Sequence, residues 1–233
     1  MRKGPVVFAF VGFIAAAAAP AAPPPGTMLS PADLDPAAVL PPPPAAGSGQ
    51  ARRELEELHA IERTRSPGDV AAARFDSETK DATIFAEAVP GLDLARLPAT
   101  ARLFAIVRAT EKDAADRGKA EFRRARPWIA DATLKSCSRN DEALSSYPSG
   151  HATMGFSMAA VLARLVPERA GPILARAARY GESRLVCEVH FRSDVTAGEA
   201  LGLLVAERLM AKAEFRQAFD AARAELKATG IAH

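Results

Sequence analysis

The chain has 233 residues, of which 48% are hydrophobic and 25% charged, enough for one domain with a real core. Its formal net charge of +2 is too small for a general nucleic-acid or anionic-membrane binder, so any anion recognition must come from local clusters. Alanine abounds, aromatics make up 6%, and β-branched runs are rare, so the composition leans helical.

Arg2 and Lys3, followed by the short apolar run from Val6 to Ala19, predict a secretory signal peptide over residues 1–22. That run is short for a membrane span, and an uncleaved anchor is the alternative. Cleavage would cancel the formal charge and leave an exported protein, periplasmic or secreted, with no stable membrane insertion. Residues 23–50 form a Pro/Ala-rich N-terminal arm that includes Pro41 to Pro44. Proline fixes φ and removes donors, so this arm should be extended and without regular structure. It is either a disordered linker or a strap laid along the domain.

From Arg52 the pattern turns helical, with Leu55, Leu58 and Ile61 on one face and a stop at Ser66-Pro67-Gly68. Val70 to Phe85 reads as a second helix, broken near Pro90-Gly91. A third starts around Pro98 and becomes charged toward Lys119. Met154, Met158, Val161, Leu162 and Leu165 make an apolar stripe that Pro167 ends, and the methionines read as core packing. Helices follow over about Ala170 to Cys187, Phe191 to Ala211, and Ala213 to Thr229. Gly198 and Gly202, four apart, permit a close helix–helix approach. His59 reads as an ordinary boundary residue. With no repeat and no strand pair, residues 51–233 are expected to form an all-α, single-domain helical bundle.

Three short windows carry the chemistry. In Lys119 to Pro127 (KAEFRRARP), Lys119 and Arg126 lie seven apart and would share a helix face if the helix persisted. The lysine offers a point charge and the arginine a planar fork to two phosphate oxygens. Arg123 and Arg124 are assigned to solvent. In Ser149-Gly150-His151, glycine admits an anion to a helix start, serine adds a donor, and the histidine can protonate a leaving oxygen. In Ser183 to Asp194 (SRLVCEVHFRSD), Arg184 adds another fork, and His190 and Asp194 stand at i and i+4. A carboxylate on one imidazole nitrogen would fix the tautomer and leave the other to attack phosphorus. Three cations in this group argue against a metal ion, and no acidic cluster of the two-metal kind is present. In an oxidising compartment the two cysteines, Cys137 and Cys187, should pair, closing about 50 residues for about 2–4 kcal/mol.

The order K-x6-R-P, P-S-G-H, S-R-x5-H-x3-D resembles the signature of the acid phosphatase and vanadium haloperoxidase superfamily, which includes the type 2 phosphatidic acid phosphatases. Leu40 to Pro44 (LPPPP), Ser146 to His151 (SYPSGH), the leader and the cysteine pair resemble its secreted bacterial class A non-specific acid phosphatases. The resemblance implies an α-helical phosphomonoesterase with no metal or other cofactor, acting on small phosphorylated substrates and often forming homo-oligomers. It further implies that His190 is the nucleophile forming a phosphohistidine, Asp194 its orienting residue, and His151 the general acid. Lys119, Arg126, Ser149, Gly150 and Arg184 would bind the phosphoryl oxygens. Ala152 stands where relatives often have threonine, and Phe191-Arg192 where a tryptophan–glutamine pair is commoner. A lipid or polyprenyl phosphate phosphatase, a vanadium-dependent haloperoxidase and an exported phosphate binder without turnover are the alternatives.

Overall fold

Every regular element is helical in residues 26–139 and 141–233, which the computed structural model describes; among these residues there is no strand. The signal peptide expected over residues 1–22 lies outside them. The helices are α1 (Pro36–Val39), α2 (Gly49–Thr64), α3 (Pro67–Glu78), α4 (Pro98–Phe122), α5 (Pro127–Ala130), α6 (Gly150–Leu165), α7 (Ala170–Val186), α8 (Arg192–Ala211) and α9 (Ala213–Ala228).

From residue 26 the proline-rich arm is a strap, not a linker, and it is not without regular structure: Asp35 caps the short helix α1 by accepting from Ala37 N–H. Leu29, Leu34 and Leu40 are buried in the main core. Its backbone is tied down as well: Met28 N–H donates to Thr110 Oγ1 at 3.2 Å, and Arg117 Nη1 donates to the Leu34 carbonyl at 2.6 Å. The Tyr147 hydroxyl donates to the Pro41 carbonyl at 2.6 Å. The helical region also starts three residues before Arg52, because Ser48 caps α2 by accepting from Ala51 N–H at 3.1 Å.

One expectation about helix length fails and a condition attached to another goes unmet, both for local reasons. The helix predicted over Val70 to Phe85 runs instead from Pro67, where Ser66 and Asp69 form a capping box, to Glu78. Asp81 then accepts from Thr83 N–H at 2.8 Å and starts a separate 3₁₀ turn, Ala82–Phe85. Nor does the third helix continue through Arg126. It ends at Phe122, and Arg123 takes up a left-handed conformation with φ 46°. Lys119 and Arg126 therefore reach the same region from different elements, Arg126 from the N-cap of α5.

α6 is the central helix, packed against α8, α7 and α4, with α9 lying against α4, α8 and the edge of α6. Its predicted stripe is fully committed to packing: Met154, Met158, Val161, Leu162 and Leu165 are all buried. The tightest crossing is α6 on α8, where Cβ atoms at Gly198 and Gly202 would fall 2.5 Å from the Ser149 and Thr153 carbonyl oxygens. No side chain fits there. That contact brings the N-termini of both helices together, and Ser149 N–H donates to the Asp194 carbonyl at 2.9 Å.

Candidate active site

The three motif windows converge on one cavity of about 210 Å³, bordered by Lys119, Arg126, Gly150, His151 and His190. Ser149, Arg184 and Asp194 are buried and do not line it. Gly150 permits the approach, since a Cβ there would meet Lys119 Nζ at 3.1 Å.

His190 is buried just before α8, and its two nitrogens have unlike partners. Nδ1 lies 2.7 Å from the Ser146 carbonyl, which can only accept. Nε2 lies 2.9 Å from Arg126 Nη1, which can only donate. These partners assign the proton to Nδ1 and leave the Nε2 lone pair facing the cavity cations. The i, i+4 carboxylate was expected to make this bond, but Asp194 Oδ2 stands 3.5 Å from Nδ1. The carbonyl has displaced it because the chain before the PSGH turn passes directly beside the ring. Asp194 acts one step further out, accepting from Ser146 Oγ at 2.5 Å and from Phe191 N–H at 2.7 Å.

Arg124 corrects the sequence reading most clearly. It was assigned to solvent, yet its side chain is 9% exposed and pairs with Asp194 at 2.5 Å and Glu54 at 2.8 Å. The guanidinium also lies over the Phe191 ring, 4.3 Å from the centroid. Once Arg123 turns the chain, residues 123–126 are non-helical, and side chains two apart share a side. Arg124 and Arg126 then both point inward while Arg123 stays exposed. That alternation was the available signal. Glu54, which also accepts from Ser193 Oγ at 3.0 Å, gave no motif-level signal.

Arg126 is held at both ends of its fork: Nη1 donates to the Val189 carbonyl at 2.7 Å, and Nη2 to Ser145 Oγ at 3.1 Å. Its Nε has no protein partner. Arg184 donates a very short bond to Ser77 Oγ, and its Nε is likewise unpartnered. Ser77 serves twice, because its carbonyl lies 3.1 Å from His151 Nε2. That contact fixes Nε2–H on the carbonyl and leaves Nδ1 as the second nitrogen of His151. Ser149 acts as N-cap of α6, its Oγ accepting from Ala152 N–H at 3.4 Å. The serines at positions 77, 145 and 146 were missed because their roles depend on tertiary contacts.

Cys137 and Cys187 are bonded, with Cα atoms 4.8 Å apart. Beside the bond, Cys137 N–H donates to the Cys187 carbonyl at 3.0 Å and Ser136 Oγ to the Glu188 carbonyl at 3.0 Å. The segment leading into His190 is thus pinned on successive residues. His59, read as a boundary residue, sits half-buried on α2 with Nε2 2.9 Å from Asp131 Oδ2.

Burial and crowded positive charge set the electrostatics. Burial, then Arg126, Arg184 and Lys119, hold His190 well below the usual imidazole range. His151 is held down by burial and then by Arg184. Burial lowers Lys119 and Arg126, and brings Arg184 down to about 10. Burial raises Asp194 to about 6, against the pull of Arg124. The lowered imidazole and cation values are what a buried site poor in anions should show, and a bound phosphoryl dianion would relieve them together. Among the described residues, no group of three or more His, Cys, Asp or Glu side chains stands ready to hold a metal ion. Among the same residues, no helix is long and apolar enough to cross a membrane.

Known proteins share this pattern. The PAP2 superfamily profile matches residues 103–217, a range that includes all three motif windows. An acid phosphatase of Zymomonas mobilis subsp. mobilis is 36% identical over 208 residues, spanning 85% of this chain and 78% of its own. A non-specific acid phosphatase of Providencia stuartii is 29% identical over 247 residues, 97% of this chain and 98% of its own. One from Salmonella typhimurium is 35% identical over 112 residues, 46% of this chain and 44% of its own. A cavity lined by cations and two histidines, a helical fold and matches of this extent lead to one conclusion: the chain belongs to the PAP2 superfamily and is a phosphatase of its acid phosphatase group.

Proposed function

We propose that the chain hydrolyses small phosphomonoesters through a covalent phosphohistidine on His190, without a metal ion, in the periplasm or outside the cell. The observation that carries this reading is the pairing of His190: a carbonyl holds Nδ1–H and the unprotonated Nε2 faces the cavity. A histidine that merely bound phosphate would serve best as a charged donor; this one is held neutral and nucleophilic.

The steps follow from the geometry. Lys119, Arg126, Arg184, the Ser149 hydroxyl and the Gly150 backbone bind the non-bridging oxygens, and a phosphoryl oxygen takes over the Arg126 Nη1 bond from Nε2. Nε2 then attacks phosphorus, and the bond to the leaving oxygen breaks. Nδ1–H remains on the Ser146 carbonyl, which Asp194 holds through the Ser146 hydroxyl. Positioning and charge stabilisation do most of the work in such a transfer. His151, protonated once the phosphoryl charge offsets Arg184, gives its Nδ1 proton to the leaving oxygen. In the second half, neutral His151 takes a proton from water as its oxygen attacks phosphorus, and the P–Nε2 bond breaks to release phosphate. An acidic optimum follows, because His151 starts deprotonated and low pH favours its acid form.

The test is to mix the enzyme with ³²P-labelled substrate, quench within milliseconds in alkaline detergent, and map the label. Label on His190 is expected, stable to alkali and lost in acid. It should be absent in His190→Ala, whose turnover should fall by at least about a thousandfold. A chelator should leave the wild-type rate intact. Full turnover by His190→Ala would sink the mechanism, and tight phosphate binding without hydrolysis would favour an exported phosphate binder.

A further inference from the structure

The cavity extends past the phosphoryl cations along one face of α4. Arg108, Glu111, Lys112, Ala115 and Asp116 wall it before Lys119 is reached, and Lys80 faces them from the loop after α3. Spacings of three and four put these α4 residues on a single face. Glu111 is buried, with Oε1 paired to Arg108 by a very short bond and Oε2 without a protein partner. Its burial raises the carboxyl to about 8, so it is neutral and leaves the Arg108 charge uncancelled. The other acids are spoken for. Asp116 is shared by Lys112 and Lys119, and Asp141 stands 3.5 Å from Arg126. Among the described residues no carboxylate pairs with Lys80, whose charge reaches His151. A neutral carboxyl with an uncommitted oxygen among three cations is suited to donate to an anion.

We infer that this rim, Lys80, Arg108 and Lys112 around Glu111, is a second anion subsite that favours phosphomonoesters whose leaving group bears another phosphate or carboxylate. The inference deepens the reading of the cavity as a phosphomonoesterase site and rests on it. The spacing sets the substrate's shape. Lys112 and Lys119 are about 10 Å apart along the helix axis, so the two anionic groups must be separated by several bonds. A bisphosphate with a short carbon spacer meets that demand; pyrophosphate, whose phosphorus atoms share one oxygen, does not.

The experiment compares kcat/KM for 1,4-butanediol bisphosphate, butyl phosphate and pyrophosphate in the wild type and in Lys80→Ala/Lys112→Ala, two exposed positions whose loss should not unfold the chain. The wild type should prefer the bisphosphate over butyl phosphate by about tenfold, with no such gain for pyrophosphate. The variant should lose most of that preference, chiefly through KM for the bisphosphate. A ratio that stays within about twofold between the two proteins overturns the subsite, as does an equal fall on both alkyl substrates. The ratio reads released phosphate and is independent of the His190 labelling. An unchanged ratio with His190 labelled therefore removes the subsite alone, and an unlabelled His190 with a shifted ratio removes the phosphohistidine alone.

Discussion

On the His190 side of the cavity, each functional atom is fixed by a neighbour that is itself fixed: Nδ1 by the Ser146 carbonyl, Asp194 by Ser146 and Arg124, and Val189 by Arg126. On the α4 side, Lys119 has one loose acidic neighbour at 3.6 Å, Lys112 is largely exposed, and Lys80 has no acidic partner among the described residues. The contrast matches what the proposed mechanism asks of each wall. Attack on phosphorus demands position to within a fraction of an ångström, which a dry, mutually braced network supplies. Admitting different leaving groups demands side chains that can adjust, and exposed lysines can. Rigidity and breadth are divided between two walls of one cavity.

The sharpest way to break the contrast is to unbrace the rigid wall at Arg124. Arg124→Ala leaves Asp194 and Glu54 buried without their cation, which should cost about 3–5 kcal/mol of stability. At a temperature where the variant stays folded, kcat for phenyl phosphate should fall by about a hundredfold while KM changes little. Arg124→Lys should recover part of it. A variant that loses only substrate affinity would show that Arg124 does not act through Asp194.

Reducing the Cys137–Cys187 bond is a milder loosening of the same wall. Removal should lower stability by about 2–4 kcal/mol, read as a drop in thermal midpoint. It should lower kcat by about tenfold, because the segment through Val189 loses its tether while Arg126 and Ser136 still hold it. Unaltered kcat in the fully reduced, folded enzyme would mean that the hydrogen bonds suffice.

The smallest effect on turnover concerns the adjustable wall, where pH sharpens the comparison. Glu111 loses its proton near 4.5 in the unfolded chain and near 8 when folded. Between those values the folded state holds more protons, so stability falls as pH rises through the window. Glu111→Gln removes that slope. The variant should match the wild type in thermal midpoint below about pH 4.5 and exceed it by about ten degrees near pH 8, since a shift of this size is worth several kcal/mol. A constant difference across the range would place the Glu111 carboxyl outside the titration.

The bundle and the cavity differ in how far they could be read from sequence. Apolar periodicity predicted the long helices because burial on one face repeats with the helix itself, as for Met154 to Leu165. Gly198 and Gly202 allowed a close helix approach for a similar reason, that only an absent side chain lets the backbones meet; the structure supplies α6 as the partner. The charged residues with local spacing do converge: Lys119, Arg126, His151 and His190 border one cavity, and Asp194 stands 3.5 Å from His190. What failed were the relations among them. A single left-handed residue, Arg123, undid the shared helix face of Lys119 and Arg126 and turned Arg124 inward. The Ser146 carbonyl, which any residue type could supply, took the bond expected of Asp194. Backbone carbonyls and chain reversals carry little side-chain signature, so second partners were hidden where first partners were plain.

The strap over residues 26–48 changes where the catalytic unit begins. The profile match starts at residue 103 and the long helices at Gly49, yet Leu29, Leu34 and Leu40 are core residues and the Pro41 carbonyl holds Tyr147 next to the PSGH turn. Any trimming of the N-terminus must therefore spare everything from about Met28 onward, where the strap's first backbone bond is made. A protease that trims a few residues too many would expose the flank of α4 and unlatch the turn that carries His151. The proline-rich stretch, which by composition alone looks dispensable, sets how far an N-terminal trim may go.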